Sequence, residues 1–152
     1  VDTTSTKENC MNKNLLALLA ALACPLALAQ DARETVTAFH TALHAGKKEA
    51  ALELMSPTVL IYESGHVERS REEYAAHHLG ADMEFAMGTT RAVLKHSVRE
   101  QGDMALVVEE TETRGSFKGK DVASLGTETV VLERKDGKWR IAHVHWSSRK
   151  AK

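Results

Sequence analysis

Hydrophobic positions recur along this chain first at helical and then at strand spacing. Ala32, Val36, Phe39 and Leu43 stand at i, i+4, i+7 and i+11, which predicts a helix with one apolar stripe, stopped by Gly46. His40 and His44, one turn apart, lie beside that stripe, where such a pair is either solvated or able to clamp a metal. Lys47 to Met55 reads as a second, shorter helix ended by Ser56-Pro57. Val59 to Glu63 then alternates as a strand, Ser64-Gly65 as a turn and His66 to Glu68 as its partner, a hairpin that would set Glu63 beside His66. Ser70-Arg71-Glu72-Glu73 has the form of a capping box opening a helix to about Ala86. On that helix Tyr74, His78, Ala81 and Phe85 share a face, and His78 and Asp82 are one turn apart, so an imidazole and a carboxylate can meet.

After Gly88 the period changes to two. Thr90 to Gln101 places Ala92, Leu94, His96 and Val98 on one side. Gly102-Asp103 turns the chain, and Met104 to Thr113 returns with Ala105, Val107, Glu109 and Thr111 opposed to Leu106, Val108 and Glu110. Arg114 to Asp121 reads as a Gly/Lys-rich loop, Leu125 to Arg134 as a strand, and Asp136-Gly137 as a two-residue hairpin turn. The last strand follows. Its alternation puts Trp139, Ile141, His143, His145 and Ser147 on one face, unless a bulge shifts the register. Helices early and strands late predict an α+β domain with three helices over one face of a curved antiparallel sheet, enclosing a cavity as the default ligand site. The expected core is Val36, Phe39, Leu43, Leu54 and Ile61, with Phe85, Leu94, Val107, Val131 and Ile141.

The first thirty residues carry a different pattern. Met11-Asn12-Lys13-Asn14 is a short basic segment, Leu15 to Leu28 an apolar run, and Ala27-Leu28-Ala29 a small-residue cleavage pattern before Gln30. Residues 11–29 therefore read as a secretory signal peptide with residues 1–10 upstream of it, giving a periplasmic or secreted protein. The run is shorter than the ~20 residues a membrane-spanning helix needs. Cys24 leaves a lipoprotein reading open. Both cysteines, Cys10 and Cys24, precede Ala29, so the domain expected over 30–152 has none and relies on its core. Roughly 120 residues suffice for one domain and not for two. A formal net charge of −1 supplies no basic field for nucleic acid. All eight histidines fall after Ala29, which matters because imidazole both titrates near neutrality and ligates metals.

The segments Phe39-His40-Thr41-Ala42-Leu43, Val59 to Gly65, Glu68 to Tyr74 with His78 and Asp82, and Trp139 to His145 together resemble the nuclear transport factor 2-like superfamily. That group holds ketosteroid isomerase, polyketide cyclases and scytalone dehydratase, and the chain is most similar to its exported bacterial branch of unassigned function. The resemblance covers Ala32 to Ser148 and implies a cone-shaped domain that pairs two protomers back to back through the outer sheet face. Ketosteroid isomerase works with a Tyr and a protonated Asp around an Asp base, which makes Tyr62 a candidate hydrogen-bond donor. Iota-class carbonic anhydrases share the fold and end in a His-His-Ser-Ser-type motif; here Trp146 interrupts the matching run His145-Trp146-Ser147-Ser148.

Two site readings follow. In the first, the pocket binds a small organic molecule, with His143 and His145 as acid and base, Glu63 or Glu109 as orienting carboxylate and Tyr62 as donor. In the second, His78, Asp82, His143 and His145 converge on one ion, and a nitrogen/oxygen donor set of this kind suits Zn or Cu. Both expect His143 and His145 to point into the cavity toward His78 and Asp82.

Overall fold

The computed structural model describes residues 31–152; the expected leader and the residues before it lie outside the described residues. Helix α1 (Ala32–His44) forms on the expected stripe. Its start is fixed by a capping box in which the Glu34 N–H donates to Asp31 Oδ1 (2.6 Å) and the Asp31 N–H to Glu34 Oε2 (3.3 Å). Gly46, at φ +66°, takes the left-handed conformation that turns the chain out of the helix. Helix α2 (Lys48–Glu53) is shorter than its sequence reading, because Met55 already pairs with Ile141 on the last strand.

Strands β1 (Met55–Glu63) and β2 (His66–Glu68) form the expected hairpin, with Ser64 and Gly65 both at positive φ and Glu63 opposite His66. The helical stretch after Ser70 is two elements, α3 (Arg71–His77) and α4 (Leu79–Gly88), broken at His78, so four helices stand where three were expected. The Ser70 hydroxyl does accept from the Glu73 N–H (3.0 Å), but Glu73 reaches back to the Arg69 N–H instead of the cap residue's own. Four long strands follow: β3 (Thr89–Gln101), β4 (Met104–Phe117), β5 (Lys120–Lys135) and β6 (Lys138–Lys150). The expected loop over Arg114 to Asp121 is instead a continuation of the β4–β5 ladder, closed by Lys118 and Gly119 at positive φ. Asp136 and Gly137, also at positive φ, close the next hairpin.

The sheet order is β2-β1-β6-β5-β4-β3. All neighbours are antiparallel except β1 and β6, which run parallel, since the chain returns to β1's edge only after the whole meander. Pairing of β1 with β6 lapses between Met55 and Leu60, where Pro57 has no N–H to give. The helices cover one sheet face. Val36, Phe39 and Leu43 from α1 and Tyr74 and Leu79 from α3 and α4 pack on Val59, Ile61, Val107, Val130, Ile141 and Val144. The architecture is thus α+β.

Two one-residue bulges alter the expected faces. In β3, Val93 pairs with Thr111 and Lys95 with Glu110, leaving Leu94 over. Leu94 is 59% exposed and not in the core. In β6, Ile141 pairs with Leu132 and His143 with Val131, leaving Ala142 over. Trp139 and Ile141 therefore share the inner face with Val144 and Trp146, not with His143 and His145. Of the other core expectations, Leu54, Phe85 and Val131 are half-buried.

Ile141→Ala and Val107→Ala should each lower the unfolding free energy by about 2–5 kcal/mol. Leu94→Ala should stay within about 0.5 kcal/mol of wild type. Urea titration checks both, and a large loss at Leu94 would contradict its placement on the bulge.

Candidate active site

Cross-strand register builds the site in rows. One inner-face row runs Glu109 (β4), Glu128 (β5), Trp146 (β6) and Glu63 (β1). The next runs Thr111, Gly126 and Ser148, and the one after it Arg91, Thr113 and Ser124. Over these rows lie α1 and α4, and between them is a cavity of about 200 Å³ with Leu43, Phe85, Ala86 and Trp146 among its apolar walls.

Glu128 is the most heavily bonded group in the site. Both of its oxygens lie 2.9 Å from His40 Nε2, Arg91 Nη2 donates to Oε2 at 2.6 Å, and Trp146 Nε1 donates to Oε1 at 2.6 Å. Burial works to raise its carboxyl pKa, but the charge and hydrogen bond of His40, the Arg91 charge and the Trp146 N–H outweigh it, and the net shift is downward. Arg91 Nη2 also donates to buried Glu109 at 2.7 Å. Phe39 stacks on Trp146 with ring centroids 6.4 Å apart, which seats α1 on the same row.

Asp82, on the other side of the cavity, has the opposite environment. Burial raises its carboxyl, and the hydrogen bond from Tyr74 with the nearby His78 only partly offsets that. The Tyr74 hydroxyl donates to Asp82 Oδ2 at 2.8 Å. A straight helix would separate positions eight apart by about 12 Å along its axis; the break at His78 closes that gap. The same break turns the His78 ring onto buried Glu68, with which its Nδ1 is hydrogen-bonded. His77 Nδ1 lies 3.4 Å from the other Glu68 oxygen. Glu63, also lining the cavity, has its carboxyl raised by burial and by the Asp82 charge. The site thus holds one carboxylate kept ionised by three donors and two carboxyls whose protons are retained to higher pH.

The residues singled out from the sequence divide between the two sheet faces. Glu63, Glu109, His78 and Asp82 come together on the helix-covered face. Tyr62, His143 and His145 lie on the outer face: the Tyr62 ring is 5.1 Å from His143 and 6.4 Å from His145. His143 Nδ1 is 2.9 Å from the Leu60 carbonyl oxygen. The expectation that both imidazoles enter the cavity is overturned by the Ala142 bulge. The four-residue Zn or Cu set fails for the same reason, because its two halves stand on opposite sides of the sheet. Among the described residues no three His, Cys, Asp or Glu side chains are grouped to hold a metal. His40, Arg91, Glu128, Tyr74 and Trp146 were not anticipated. Glu128 had a legible signal, since it falls in phase with Val130 and Leu132, a carboxylate on the apolar side of a strand.

A profile of the SnoaL-like domain matches residues 32–149. Among solved structures, a ketosteroid isomerase candidate from Shewanella frigidimarina is 40% identical, with a TM-score of 0.74 over 78% of this chain and 97% of that one. A nuclear transport factor 2-like protein of unknown function from Pseudomonas putida (18% identity, TM-score 0.64, 76% and 82% covered) shares the fold. So does a dehydratase candidate from Streptomyces avermitilis (23% identity, TM-score 0.63, 77% and 92% covered). No curated protein matches.

Glu128→Gln should destabilise the domain by about 3–5 kcal/mol at neutral pH, the cost of breaking a buried charged cluster. Because the folded Glu128 carboxyl lies below its unfolded value, its contribution is present above the unfolded pKa and is lost as pH falls through the folded one. The gap between wild type and variant in thermal or urea melts should therefore narrow as pH falls into the carboxylate range; a gap constant with pH would contradict the assignment.

Proposed function

This chain belongs to the SnoaL-like domain family, and from that premise we propose that it catalyses proton transfer on a small, uncharged organic molecule, with Asp82 taking and returning the proton. The observation that carries this reading is a half-buried carboxylate lining the cavity, its Oδ2 fixed by the Tyr74 hydroxyl and its pKa raised by desolvation. A base whose pKa is pushed toward the working pH transfers protons efficiently in both directions. With Oδ2 occupied by Tyr74, Oδ1 is the oxygen left for substrate.

The chemistry that fits is a shift of a C–H proton next to a carbonyl. Asp82 removes the proton, the electron pair moves onto the carbonyl oxygen as an enolate, and return of the proton to a more distant carbon moves the double bond. Glu63, whose carboxyl is raised by burial and by the Asp82 charge, supplies in its protonated form a hydrogen bond to the developing oxyanion. The Shewanella relative's description as a ketosteroid isomerase candidate points to the same reaction class. A cavity of about 200 Å³ is below the ~300–1,000 Å³ usual for drug-sized ligands, which favours a substrate of about one ring. His143 and His145 have no part in this reading.

The outer face supports a second, structural proposal, that two copies associate there. Leu60 and Tyr62 are exposed on β1 beside His143, and among the described residues no helix covers that side. Light scattering at tens of micromolar should give a dimer, and Tyr62→Glu a monomer; a monomeric wild type counts against it. The apolar leader segment supports export of the protein.

The catalytic reading is tested with 3-cyclohexenone, whose conversion to the conjugated enone is followed by ultraviolet absorbance. The rate should rise with pH through the ionisation of Asp82, at a midpoint above the ordinary aspartate value. Asp82→Asn should lower it by ~100-fold or more. Tyr74→Phe removes a hydrogen bond that holds the Asp82 pKa down, so its pH profile should move to higher pH. Wild-type turnover that survives in Asp82→Asn, or a Tyr74→Phe profile moved to lower pH, would overturn the assignment.

A further inference from the structure

The cavity has a second end, which the proton-transfer chemistry leaves unused. Its floor is Gly126, on the inner face of β5. Gly126 is flanked across the strands by Thr111 and Ser148 and along its own strand by Ser124 and Glu128, with Thr113 diagonal to it. These residues line the cavity. Thr111 and Thr113 are only 6% and 9% exposed, yet among the described residues neither hydroxyl has a hydrogen-bond partner. Neither is a buried orphan, since among the described residues only Arg33 Nε is one; both residues line the cavity, so their hydroxyls can bond a molecule there.

Gly126 is what leaves the Thr111 hydroxyl reachable. A Cβ at position 126 would lie 2.7 Å from Thr111 Oγ1, closer than real contacts allow. The backbone here is ordinary strand, so the lack of a side chain is a matter of space and not of torsion angle. It opens a hollow whose rim is hydroxyl.

Charge decides what the hollow accepts. Arg91 is a fixed cation in the cavity lining, but its Nη2 is shared between Glu109 and Glu128 at 2.7 and 2.6 Å. One guanidinium thus already faces two carboxylates, and Glu63 and Asp82 add acidic groups to the same cavity. A carboxylate or phosphate arriving here would find the Arg91 donor already committed to two carboxylates and, on the proton-transfer reading, an ionised Asp82. Hydroxyls both donate and accept, so they match a neutral oxygen.

We propose that the Gly126 hollow is a subsite for an uncharged hydroxyl or carbonyl group, so that the substrate class is a small cyclic ketone with a second oxygen function remote from its acidic carbon. This rests on the proton-transfer reading for the ketone end, while the subsite itself is defined by binding alone. Thr111 and Thr113 supply the hydrogen bonds, and Gly126 sets the depth. The arrangement orients the substrate end to end, holding its ketone half at Asp82.

Binding of three probes, cyclohexanone, 4-hydroxycyclohexanone and 4-oxocyclohexanecarboxylate, measured by protein-detected NMR titration, tests the subsite without reference to turnover. Wild type should prefer the hydroxylated ketone over cyclohexanone and bind the carboxylate most weakly. Thr111→Val, which keeps the shape and removes the hydroxyl, should erase roughly threefold to tenfold of that preference while leaving cyclohexanone affinity unchanged. Gly126→Ala should reduce binding of the hydroxylated probe more than that of cyclohexanone. Asp82→Asn should leave the preference intact, so loss of turnover with retained preference sinks only the catalytic reading. Equal preference in wild type and Thr111→Val, or tightest binding of the carboxylate probe, would overturn the subsite.

Discussion

The arrangement depends on one buried carboxylate. Glu128 takes hydrogen bonds from His40 on α1, Arg91 on β3 and Trp146 on β6, joining elements that are far apart in sequence. An ionised group at 3% exposure is tolerable only because three donors surround it. That requirement fixes how α1 sits on the sheet, since His40 must reach β5 while Phe39 stacks on Trp146. It also fixes the curl of the far strands, because Arg91 has to bridge β4 and β5 from the edge. The cavity is the space this constraint leaves between helix and sheet.

On that frame the cavity separates its polar groups by role. Glu128 is ionised and bonded at every side, and so unsuited to trade protons. Among the described residues Asp82 takes one hydrogen bond, from Tyr74, and burial raises its carboxyl. The contrast follows from their neighbours: cations and N–H donors outweigh burial at the first, whereas at the second burial outweighs one hydroxyl and the charges of His78 and His40. Glu63 couples the two, lying in the same row as Glu128 and within the field of Asp82.

Much of this was legible in the residues. The stripe Ala32, Val36, Phe39, Leu43 marked α1, and the turn pairs Ser64-Gly65 and Asp136-Gly137 marked two hairpins, because both signals are local. The alternation of β4 placed Glu109 inward correctly, and Glu63, His78 and Asp82 were gathered on one side as expected. What failed was non-local. Pairing β1 parallel to β6 depends on how the chain returns after the meander, which no short window contains. Leu94 and Ala142 carry no mark of being surplus residues, since leucine and alanine are ordinary in strands. His40 read as solvated or as clamping a metal with His44, because its partner, Glu128, lies 88 residues away.

The extra residue at Ala142 means that β6 is a strand in two reading frames. Up to Ile141 its odd-numbered positions face the core; beyond the insertion the even-numbered ones do, so Val144 and Trp146 look inward and the imidazoles outward. The anchoring half and the presenting half are thereby uncoupled. Were the same residues to pair without the bulge, Trp139 and Ile141 would stay in place while His143 and His145 turned inward and the Trp146 indole outward. In such a scaffold, the chemistry offered to a ligand can change by a step in register, without any change in the residues themselves.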